Sequence, residues 1–418
     1  MSRWGLLGEC TFDGGFHRFK SVIHCETAQL FSEILDQDDM RIGIDARYLS
    51  HGLVGGVHNH IAWLIESLIK VGEAHEFVLY ADTKRSFELH DLPDNVVVRF
   101  LDYRNPLSSV YHDLFLRRVI AEDGVDIIHF PANYGFAPAG CPTVITLHDQ
   151  INILPLWEIL RGHPKRLSTV AMMTYLHLVT TQAVKRADVI LTVSDYSRGK
   201  ILEHGNFQPD RVVAIINGPS PRLKRIEDVD TMNAVKQRHR LERPFVLADA
   251  IKNPGVLTRA WERLPDAVRR HFQIVFFSRT PAPPEDVLIA QRAGFAQLLV
   301  RPSNEDLMAL YSMASAFVFP SWIEGLGIPL LEAMTCGAPV IASDRGSIPE
   351  VAGDAALLHD VDDIEGFARS IERVLSDPAE AARLRERGYA RAAQFTWDKT
   401  ARRVLECYER ALSLRRPA

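Results

Sequence analysis

The sequence has little cysteine and no excess of positive charge. Its 418 residues include five cysteines, an odd number and widely scattered, and no Cys-x-x-Cys pair occurs. This pattern predicts neither a disulfide framework nor a zinc site, and it fits a reducing compartment. The 48 Lys and Arg against 53 Asp and Glu leave a formal charge of −5. Because nucleic-acid-binding proteins usually carry a basic excess, we expect no nucleic-acid partner.

Long apolar runs are also missing. The longest weakly polar stretch, residues 167–184, carries four threonines together with Ser168, His177 and Gln182. It is too polar for the ~20 apolar residues that a membrane-spanning helix needs. The amino terminus lacks the apolar region and cleavage site of a signal peptide. We therefore expect a cytoplasmic protein.

What is present is an ordinary globular composition, with 47% hydrophobic and 24% charged residues. At ~150 residues per domain, the length predicts two to three domains. Residues 1–39 are acidic and contain no clear strand, whereas a β-branched run begins at Arg41. We interpret residues 1–39 as an N-terminal extension that the fold does not need, and Met40 as the start of the first domain.

From Met40 onward, short strand-like runs alternate with helical patterns in two successive series. A break at Asn217–Pro221 and a charged stretch, Arg222–Arg243, separate the two series. Such alternation predicts α/β domains with parallel sheets covered on both faces. We assign residues 40–225 and 226–395 to two doubly wound, Rossmann-like domains that face a cleft, and residues 396–418 to a final helix. Ligands of such sheets bind beyond the carboxyl ends of the strands.

The sharpest local pattern lies between Pro320 and Glu332. A strand ends at Pro320, a loop with two glycines follows, and Pro329 stands where a helix would begin. Glycines allow close backbone approach, and the amides of a helix start suit a phosphate. Glu324 in the loop and Glu332 in the first helical turn would bracket that anion. The alternative is a glycine-rich turn with two solvated glutamates.

Three weaker signals accompany this loop. The stretch Gly52–Val57 leads from the first strand into a helix and could also hold a diphosphate. His148 ends a strand beside Asp149, although a buried histidine of the core is the commoner interpretation. Lys252 follows the first strand of the second series and is a suitable charge for a phosphate, although most lysines are only solvated.

Together these elements resemble the retaining, GT-B-fold glycosyltransferases that carry an E-x₇-E motif. The resemblance extends over residues 41–412 and is most specific between Pro320 and Ser343. The matching elements are Asp45–Arg47, Gly55–Val57, Thr143–Asp149, Ala187–Ser194, Ile216–Gly218, Lys252–Asn253, Ser321–Glu332, Ala333–Ser343 and Phe395–Trp397.

The resemblance implies a role for each matching residue. Glu324 would contact the donor sugar, Glu332 the ribose hydroxyls, and His148 the reacting sugar near its C6 hydroxyl. The N-terminal domain would take the acceptor, and the last helix would cross back onto it. No metal or other cofactor is implied, because positive side chains and helix amides would stabilise the leaving diphosphate. The groups implied to hold that diphosphate are Gly55, Gly56, Lys252, Gly325, Leu326, Gly327 and Ile328.

The second series departs from the family pattern around Lys252. The family usually has a glycine after the preceding strand and an arginine shortly before the lysine, and neither is present. Asp249 places a negative charge in this loop, and we expect Arg279, after the next strand, to replace the missing arginine in donor binding. These departures leave open a non-catalytic relative that binds a glycan or a partner glycosyltransferase. A dehydrogenase is disfavoured, because no strand is followed by Gly-x-Gly-x-x-Gly.

The resemblance therefore implies an enzyme that moves a hexosyl group, with mannose favoured, from a GDP- or UDP-linked sugar to a saccharide or lipid-linked glycan. Surface polysaccharide biosynthesis is the commonest setting of such relatives. Four basic residues, Arg161, His163, Lys165 and Arg166, precede the apolar helix 167–184. This pattern fits either a helix packed under the first sheet, which we favour, or a peripheral contact with the inner face of the membrane.

Overall fold

A computed structural model describes residues 39–51, 55–87, 89, 91–105, 107–161 and 166–415. The chain divides into two units, Met1–Met40 and Arg41–Ala418, and the description below concerns the second. Of the proposed extension, all residues but Asp39 lie outside the described ranges, so that assignment stays a prediction.

The first half of the unit is a seven-stranded parallel sheet, here called the N-terminal domain. Its strand order is β3-β2-β1-β4-β5-β6-β7, and Ile44 of β1 lies opposite Leu79 of β2 and His129 of β4. The central strands are buried along their whole length, which suits their runs of apolar residues. The strands are β1 (Arg41–Asp45), β2 (Glu76–Asp82), β3 (Val96–Leu101), β4 (Ile127–Phe130), β5 (Thr143–Thr146), β6 (Val189–Thr192) and β7 (Val212–Ala214).

Helices connect these strands and cover the sheet. They are α1 (Gly56–Val71), α2 (Leu107–Asp123), α3 (Leu156–Arg161), α4 (Leu167–Arg186) and α5 (Asp195–Gly205), with 3₁₀ turns at Arg47–Ser50, Ile151–Ile153 and Pro209–Arg211. Among the helices of the described ranges, none combines the length and apolarity needed to cross a bilayer.

The second half is a six-stranded parallel sheet, here called the C-terminal domain, with strand order β10-β9-β8-β11-β12-β13. Alternate residues of β8 pack into two different apolar clusters, Phe245 and Leu247 on one face and Val246 and Ala248 on the other. Both faces are therefore covered. The strands are β8 (Phe245–Asp249), β9 (Gln273–Ser278), β10 (Ala296–Val300), β11 (Ala316–Phe319), β12 (Val340–Ser343) and β13 (Ala356–His359).

The helices of this domain follow its strands in turn. They are α6 (Val229–His239), α7 (Pro254–Glu262), α8 (Asp266–His271), α9 (Glu285–Arg292), α10 (Asn304–Met313), α11 (Ile328–Cys336), α12 (Ile348–Ala352), α13 (Ile364–Ser376), α14 (Pro378–Ala392) and α15 (Trp397–Ser413).

The predicted fold class is confirmed, and every strand-like run of the two series coincides with an observed strand to within two residues. The charged stretch 222–243, interpreted as a join, lies between the last strand of the first sheet and the first strand of the second, and it contains helix α6. Only Val235 of this helix is buried, so its sequence has no apolar stripe. Its start is stabilised by Asp228, whose carboxylate accepts a hydrogen bond from the Thr231 amide at 2.8 Å.

The last helix, α15, returns from the C-terminal domain and packs on α1 of the N-terminal domain. Lys70 pairs with Asp398 at 2.6 Å near its start, and the Trp397 indole donates to the Pro219 carbonyl at 2.9 Å. Deeper in the domain, the Tyr408 hydroxyl lies 2.7 Å from Nδ1 of the buried His129. The helix therefore belongs to the core of the first domain although it follows the second in sequence.

Candidate active site

The loop between β11 and α11 carries both motif glutamates. Gly327 adopts a left-handed conformation, with φ of 74°, and precedes Ile328 and Pro329, the first two residues of α11. Proline is suited to this position, because the first backbone N–H groups of a helix have no partner within the helix. The free amides of this first turn point out of the helix end. Glu332 is the fifth residue of α11, so it lies on the second turn, not on the first turn that the sequence predicted.

The Glu324 carboxylate is held by one of its two oxygens. Oε1 accepts a hydrogen bond from the Ser321 hydroxyl at 2.6 Å and pairs with the Lys252 ammonium at 2.8 Å. No hydrogen bond from any described residue uses Oε2. The side chain is only 12% exposed, so its orientation is set while one oxygen stays available to a hydroxyl donor.

The backbone of Glu324 is fixed from the neighbouring β12–α12 loop. The Ser347 amide and the Ser347 hydroxyl both donate to the Glu324 carbonyl at 3.1 Å. Gly346 has a φ of 61°, and a Cβ there would lie 2.6 Å from the same carbonyl oxygen. Only glycine satisfies both the left-handed backbone and the close approach.

Lys252 and Glu324, which the resemblance assigned to the diphosphate and to the sugar, form an ion pair with each other. The next residue, Asn253, has a φ of 53°, and its side-chain amide donates a hydrogen bond to the Pro320 carbonyl at 3.0 Å. The short loop after β8 is thereby attached to the start of the motif loop. The lysine that sequence alone could only call solvated is 32% exposed and positioned by this attachment.

Two acidic groups and one free cation lie behind this pair. Burial raises the pKa of Glu332, which Arg279 opposes, and burial likewise raises the pKa of Asp249, which Lys252 and Arg279 oppose. The Tyr311 hydroxyl donates to Glu332 at 3.3 Å. Arg279 itself has no ion pair and no side-chain hydrogen bond among the described residues. Its side chain is exposed, and its positive charge acts on the carboxylates of Glu332 and Asp249.

His148 lies at the carboxyl end of β5 in the N-terminal domain. Its Nε2 is 3.0 Å from the Pro131 carbonyl, which can only accept, so Nε2 carries the proton and Nδ1 is an acceptor. The Asn133 side chain accepts a hydrogen bond from the His148 amide at 3.0 Å. Burial lowers the pKa of His148 to about 4, so the ring is neutral at pH 7.

The ring of His148 packs edge-on against His60, with ring centroids 4.7 Å apart. His60 accepts a hydrogen bond at Nδ1 from the side-chain amide nitrogen of Asn217, at 2.9 Å, and burial lowers the pKa of His60. His60 belongs to α1, the helix that Gly55 and Gly56 begin. A Cβ on either glycine would meet nothing within 4 Å, and residues 52–54 of the predicted loop lie outside the described ranges.

Gly325 links the two domains at this point. Its carbonyl accepts hydrogen bonds from the Ser194 hydroxyl at 2.5 Å and the Ser197 hydroxyl at 3.2 Å, both at the start of α5. A Cβ on Gly325 would lie 3.7 Å from the His148 carbonyl oxygen. The motif loop of one domain therefore lies directly against the histidine of the other.

A second contact closes the same edge of the cleft. The Glu350 carboxylate of α12 accepts hydrogen bonds from the Asp195 amide at 2.9 Å and the Tyr196 amide at 3.2 Å. A carboxylate at the N-terminus of a helix is favoured by the helix dipole. From the sequence, Ser194 was part of a matching element without an assigned role, and Ser347 and Glu350 were not named. The polar start of α5 after a buried strand is the signal that could have marked the first of them.

Within the described ranges, no three His, Cys, Asp or Glu side chains converge as a metal site would require. The chemical groups that do converge are a half-free carboxylate, a lysine, an arginine and the amide-rich start of α11. They lie opposite a neutral histidine. This arrangement suits an anionic leaving group on one side and a hydroxyl-bearing ring between the domains.

Two parallel-sheet α/β domains with such a site define a GT-B glycosyltransferase, and comparison with known proteins agrees. The family model described as glycosyl transferases group 1 matches residues 252–391, and that of glycosyltransferase family 4 matches residues 54–222. An alpha-maltose-1-phosphate synthase from Mycolicibacterium smegmatis is 30% identical over 411 residues, covering 89% of this chain and 99% of that protein. The chain therefore belongs to the group 1 glycosyltransferases.

Two further comparisons concern a shorter alignment and the fold. O-antigen chain mannosyltransferase B from Escherichia coli is 29% identical over 324 residues, 75% of this chain and 82% of that protein. The structure of sucrose-phosphate synthase from Thermosynechococcus elongatus superposes with a TM-score of 0.65 at 18% identity. It covers 90% of this chain and all of that one. At this identity the superposition establishes the fold alone.

Proposed function

We propose that the protein is a retaining glycosyltransferase that moves a hexosyl group, with mannose favoured, from a nucleotide-diphosphate sugar to a saccharide or lipid-linked glycan in surface polysaccharide biosynthesis. The observation that carries the proposal is the meeting of the Glu324–Gly325 loop with His148 across the cleft. The name of the Escherichia coli relative, an O-antigen chain mannosyltransferase, supports the choice of sugar and setting.

In this proposal the C-terminal domain binds the donor. The amides of Gly325, Leu326, Gly327 and Ile328 and the dipole of α11 face the diphosphate, and Gly55 and Gly56 do so from the N-terminal domain. Lys252 turns from Glu324 to the phosphate oxygens, with Arg279 as the second cation. These fixed groups stabilise the charge that develops on the leaving nucleoside diphosphate, and the reaction needs no metal. Glu332 accepts hydrogen bonds from the ribose hydroxyls.

The sugar lies between Glu324 and His148. Oε2 of Glu324 and the unprotonated Nδ1 of His148 are acceptors for sugar hydroxyls on opposite sides of the ring. They orient the sugar while the bond to the diphosphate lengthens and an oxocarbenium-like centre forms. The acceptor hydroxyl attacks from the face that the diphosphate leaves, its proton passes to a phosphate oxygen, and the anomeric configuration is kept.

The first test is transfer from GDP-mannose and, separately, from UDP-glucose to a panel of mannosides, with product anomers read by NMR. An α-linked product from the α-linked donor is expected, and an inverted product would overturn the retaining mechanism. Glu324→Gln and His148→Ala should lower transfer at least a hundred-fold with little change in melting temperature. The exposed residues Glu386 and His204 provide matched controls, Glu386→Gln and His204→Ala, which should retain activity.

The competing function is a non-catalytic relative that binds a glycan or a partner enzyme. The observation in its favour is the Lys252–Glu324 pair, which joins two proposed donor ligands to each other. Calorimetric titration with GDP, UDP and ADP separates the two functions. Binding of one of them, weakened by Glu332→Ala, supports the donor site. Absence of binding by all three would favour the competing function.

A second part of the proposal is a peripheral contact between helix α4 and the inner face of the membrane. The favoured packing of the helix under the first sheet holds only for the C-terminal half of α4, because its buried residues are Thr180, Ala183 and Val184. Leu167, Met172 and Leu178 are at least half exposed. Co-sedimentation with vesicles of anionic lipid at low salt tests the contact. Binding that Leu167→Ser and Met172→Ser weaken supports it, and no binding by the wild-type protein disproves it.

A further inference from the structure

A cavity of about 420 Å³ in the N-terminal domain reaches the edge of the sheet at which the strands begin. It is lined by Thr143, the first residue of β5, and by Arg186, the last residue of α4. His148 follows β5 at its opposite end and lies about 16 Å from Thr143, because a strand rises roughly 3.3 Å per residue. The cavity is therefore separate from the proposed active site, and its volume is within the range of small-molecule sites.

Three arginines from separate parts of the chain line this cavity. They are Arg117 of α2, Arg186 of α4, and Arg415, which follows α15. Arg117 and Arg186 have no ion pair and no side-chain hydrogen bond among the described residues. Although the whole chain carries a formal charge of −5, none of the described residues that line the cavity is Asp or Glu. An anion in this cavity would therefore meet cations without a competing carboxylate in the wall.

Arg415 is oriented by Asp188, a carboxylate that does not itself line the cavity. The Arg415 Nε donates to Oδ1 of Asp188 at 2.8 Å, and Oδ2 of Asp188 accepts a hydrogen bond from the Thr143 amide at 2.8 Å. The two terminal nitrogens of Arg415 have no partner among the described residues. They are the pair of donors that binds two oxygens of one phosphate.

The thiol of Cys141, which also lines the cavity, carries no charge at pH 7. Burial raises the pKa of Cys141 to about 11, although the nearby Arg415 lowers it. Asp188 and Asp126 raise the same pKa. Of these two carboxylates, Asp188 is paired with Arg415, and Asp126 accepts a hydrogen bond from the Arg41 amide at 2.7 Å. The positive charge of Arg117 and Arg186 is therefore not neutralised by any lining residue.

The loop between β4 and β5 supplies an apolar wall. It passes over the end of β4, since a Cβ on Gly135 would collide with the Phe130 ring. The next three residues, Phe136, Ala137 and Pro138, are partly buried and line the cavity. A bare phosphate would occupy only part of 420 Å³. The remaining space and this wall suit the organic part of a molecule that carries the phosphate.

We propose that this cavity binds the phosphoryl group of a phosphomonoester, with Arg117, Arg186 and Arg415 as its ligands. Residues 136–138 pack against the group that carries the phosphate. Arginine suits this role, because its planar guanidinium matches phosphate oxygens in a two-point contact. The proposal does not depend on the proposed transfer, since none of the three arginines belongs to the donor site. A soluble phosphate ester and a lipid headgroup both offer the required chemistry.

The rate at which iodoacetamide alkylates Cys141 in the full-length protein reports on this cavity, and mass spectrometry of the Cys141 peptide measures it. The probes are glycerol 3-phosphate and vesicles of phosphatidic acid in phosphatidylcholine. At least one should slow the alkylation three-fold or more, because the bound ester covers the thiol. Sodium chloride of equal ionic strength and vesicles of phosphatidylcholine alone are the controls, and both should leave the rate nearly unchanged.

Four variants locate the binding. Arg117→Gln and Arg186→Gln should each weaken the protection of Cys141 at least five-fold. Lys185→Gln removes the exposed charge next to Arg186 outside the cavity, and it should keep the protection. Lys252→Ala should keep it as well, since that lysine belongs to the proposed donor site in the other domain.

The two probes distinguish the source of the phosphate. Protection by glycerol 3-phosphate identifies a soluble ester as sufficient, whereas protection by phosphatidic acid vesicles alone identifies a lipid headgroup. If neither probe slows the alkylation of Cys141 in the wild-type protein, the proposal is wrong. It is also wrong if Arg117→Gln and Arg186→Gln are protected as well as Lys185→Gln, because binding would then lie elsewhere. Neither result bears on the proposed transfer, which the titration with nucleoside diphosphates tests separately.

Discussion

The charged side chains on the two sides of the cleft differ in their burial and in the number of their ion pairs. In the N-terminal domain Arg47 is 8% exposed, and each donor nitrogen of its guanidinium contacts a carboxylate. In the C-terminal domain Lys252 is 32% exposed with one ion pair, and Arg279 has none within the described ranges. A charge that is buried and fully paired contributes to one rigid structure. A charge that is exposed and half paired can change partner when an anion arrives.

This difference predicts which substitutions damage the fold and which damage only binding. Removal of one member of a buried ion pair leaves the other unpaired in a medium of low dielectric constant, whereas an exposed pair contributes little to stability. The following predictions test that separation, beginning with the largest expected effect.

Arg47→Met should lower the free energy of unfolding by about 3–5 kcal/mol, because Asp45 and Asp113 would remain buried without a cation. Lys252→Met, its counterpart across the cleft, should lower that free energy by less, because Lys252 is 32% exposed and Glu324 keeps its hydrogen bond from Ser321. Urea unfolding followed by circular dichroism measures both. Similar losses for the two variants would show that the charges of the C-terminal domain are as rigidly paired as those of the N-terminal domain.

Lys252→Ala should weaken nucleoside diphosphate binding ten- to hundred-fold, since a charge-assisted hydrogen bond contributes roughly 1.5–3 kcal/mol. Arg279→Ala should weaken it less, and Asp249→Asn should strengthen it modestly by removing a negative charge near Lys252 and Arg279. Calorimetric titration ranks the three variants. If Arg279→Ala had the larger effect, the main role of Lys252 would be its ion pair with Glu324, and Arg279 would be the main phosphate ligand.

Gly346→Ala should destabilise the protein by about 1–2 kcal/mol through its left-handed backbone and also reduce transfer, because the new Cβ would press on the Glu324 carbonyl. Gly140→Ala is the matched control. Gly140 also has a positive φ, of 86°, but a Cβ there would meet nothing within 4 Å. Gly346→Ala should lower the melting temperature more than Gly140→Ala, and a loss of transfer confined to Gly346→Ala would isolate the effect on Glu324.

A further expected effect is a pH dependence of stability with opposite sign on the two sides of the cleft. Burial lowers the pKa of His129 to about 3 and that of His148 to about 4, from the ordinary 6.5. Between pH 6.5 and those values the unfolded chain binds more protons, so stability falls as pH falls. The raised pKa of Glu332 acts in reverse, because its folded form holds the proton longer and acidification favours the fold.

Thermal melts from pH 7 to pH 4.5 test these signs. Glu332→Gln removes the opposing contribution and should make the acid loss of stability steeper, and His129→Gln should make it shallower. The exposed control Glu386→Gln should follow the wild-type curve. A shallower curve for Glu332→Gln would mean that its carboxylate is stabilised as an anion by Arg279.

Much of the fold was predictable because strands and helix starts depend on residues that are close together in the sequence. Buried runs such as Val340–Ser343 need only apolar, β-branched residues, and the Gly327–Pro329 sequence marks a helix start by backbone chemistry alone. Helix α6 was not predictable in this way, since only Val235 is buried and tertiary contacts select the helix. The candidate residues of the motif loop were found for the same local reason.

The sequence by itself determined the two α/β series, the spacing of Glu324 and Glu332, and the presence of lysine after β8. Only the tertiary structure decided that Lys252 pairs with Glu324 and that the His148 carbonyl lies near Gly325. It also decided that Arg47 is ion-paired with two carboxylates, whereas Arg279 has no ion pair among the described residues. Except for Asp45, which is two positions from Arg47, the residues that meet in these contacts are 66 or more positions apart. The physical reason is that the spacing of residues along the chain decides which side chains stand at the end of each strand. Which charges are neutralised depends on burial and on the distances between side chains, and both are set only when the sheets and helices pack.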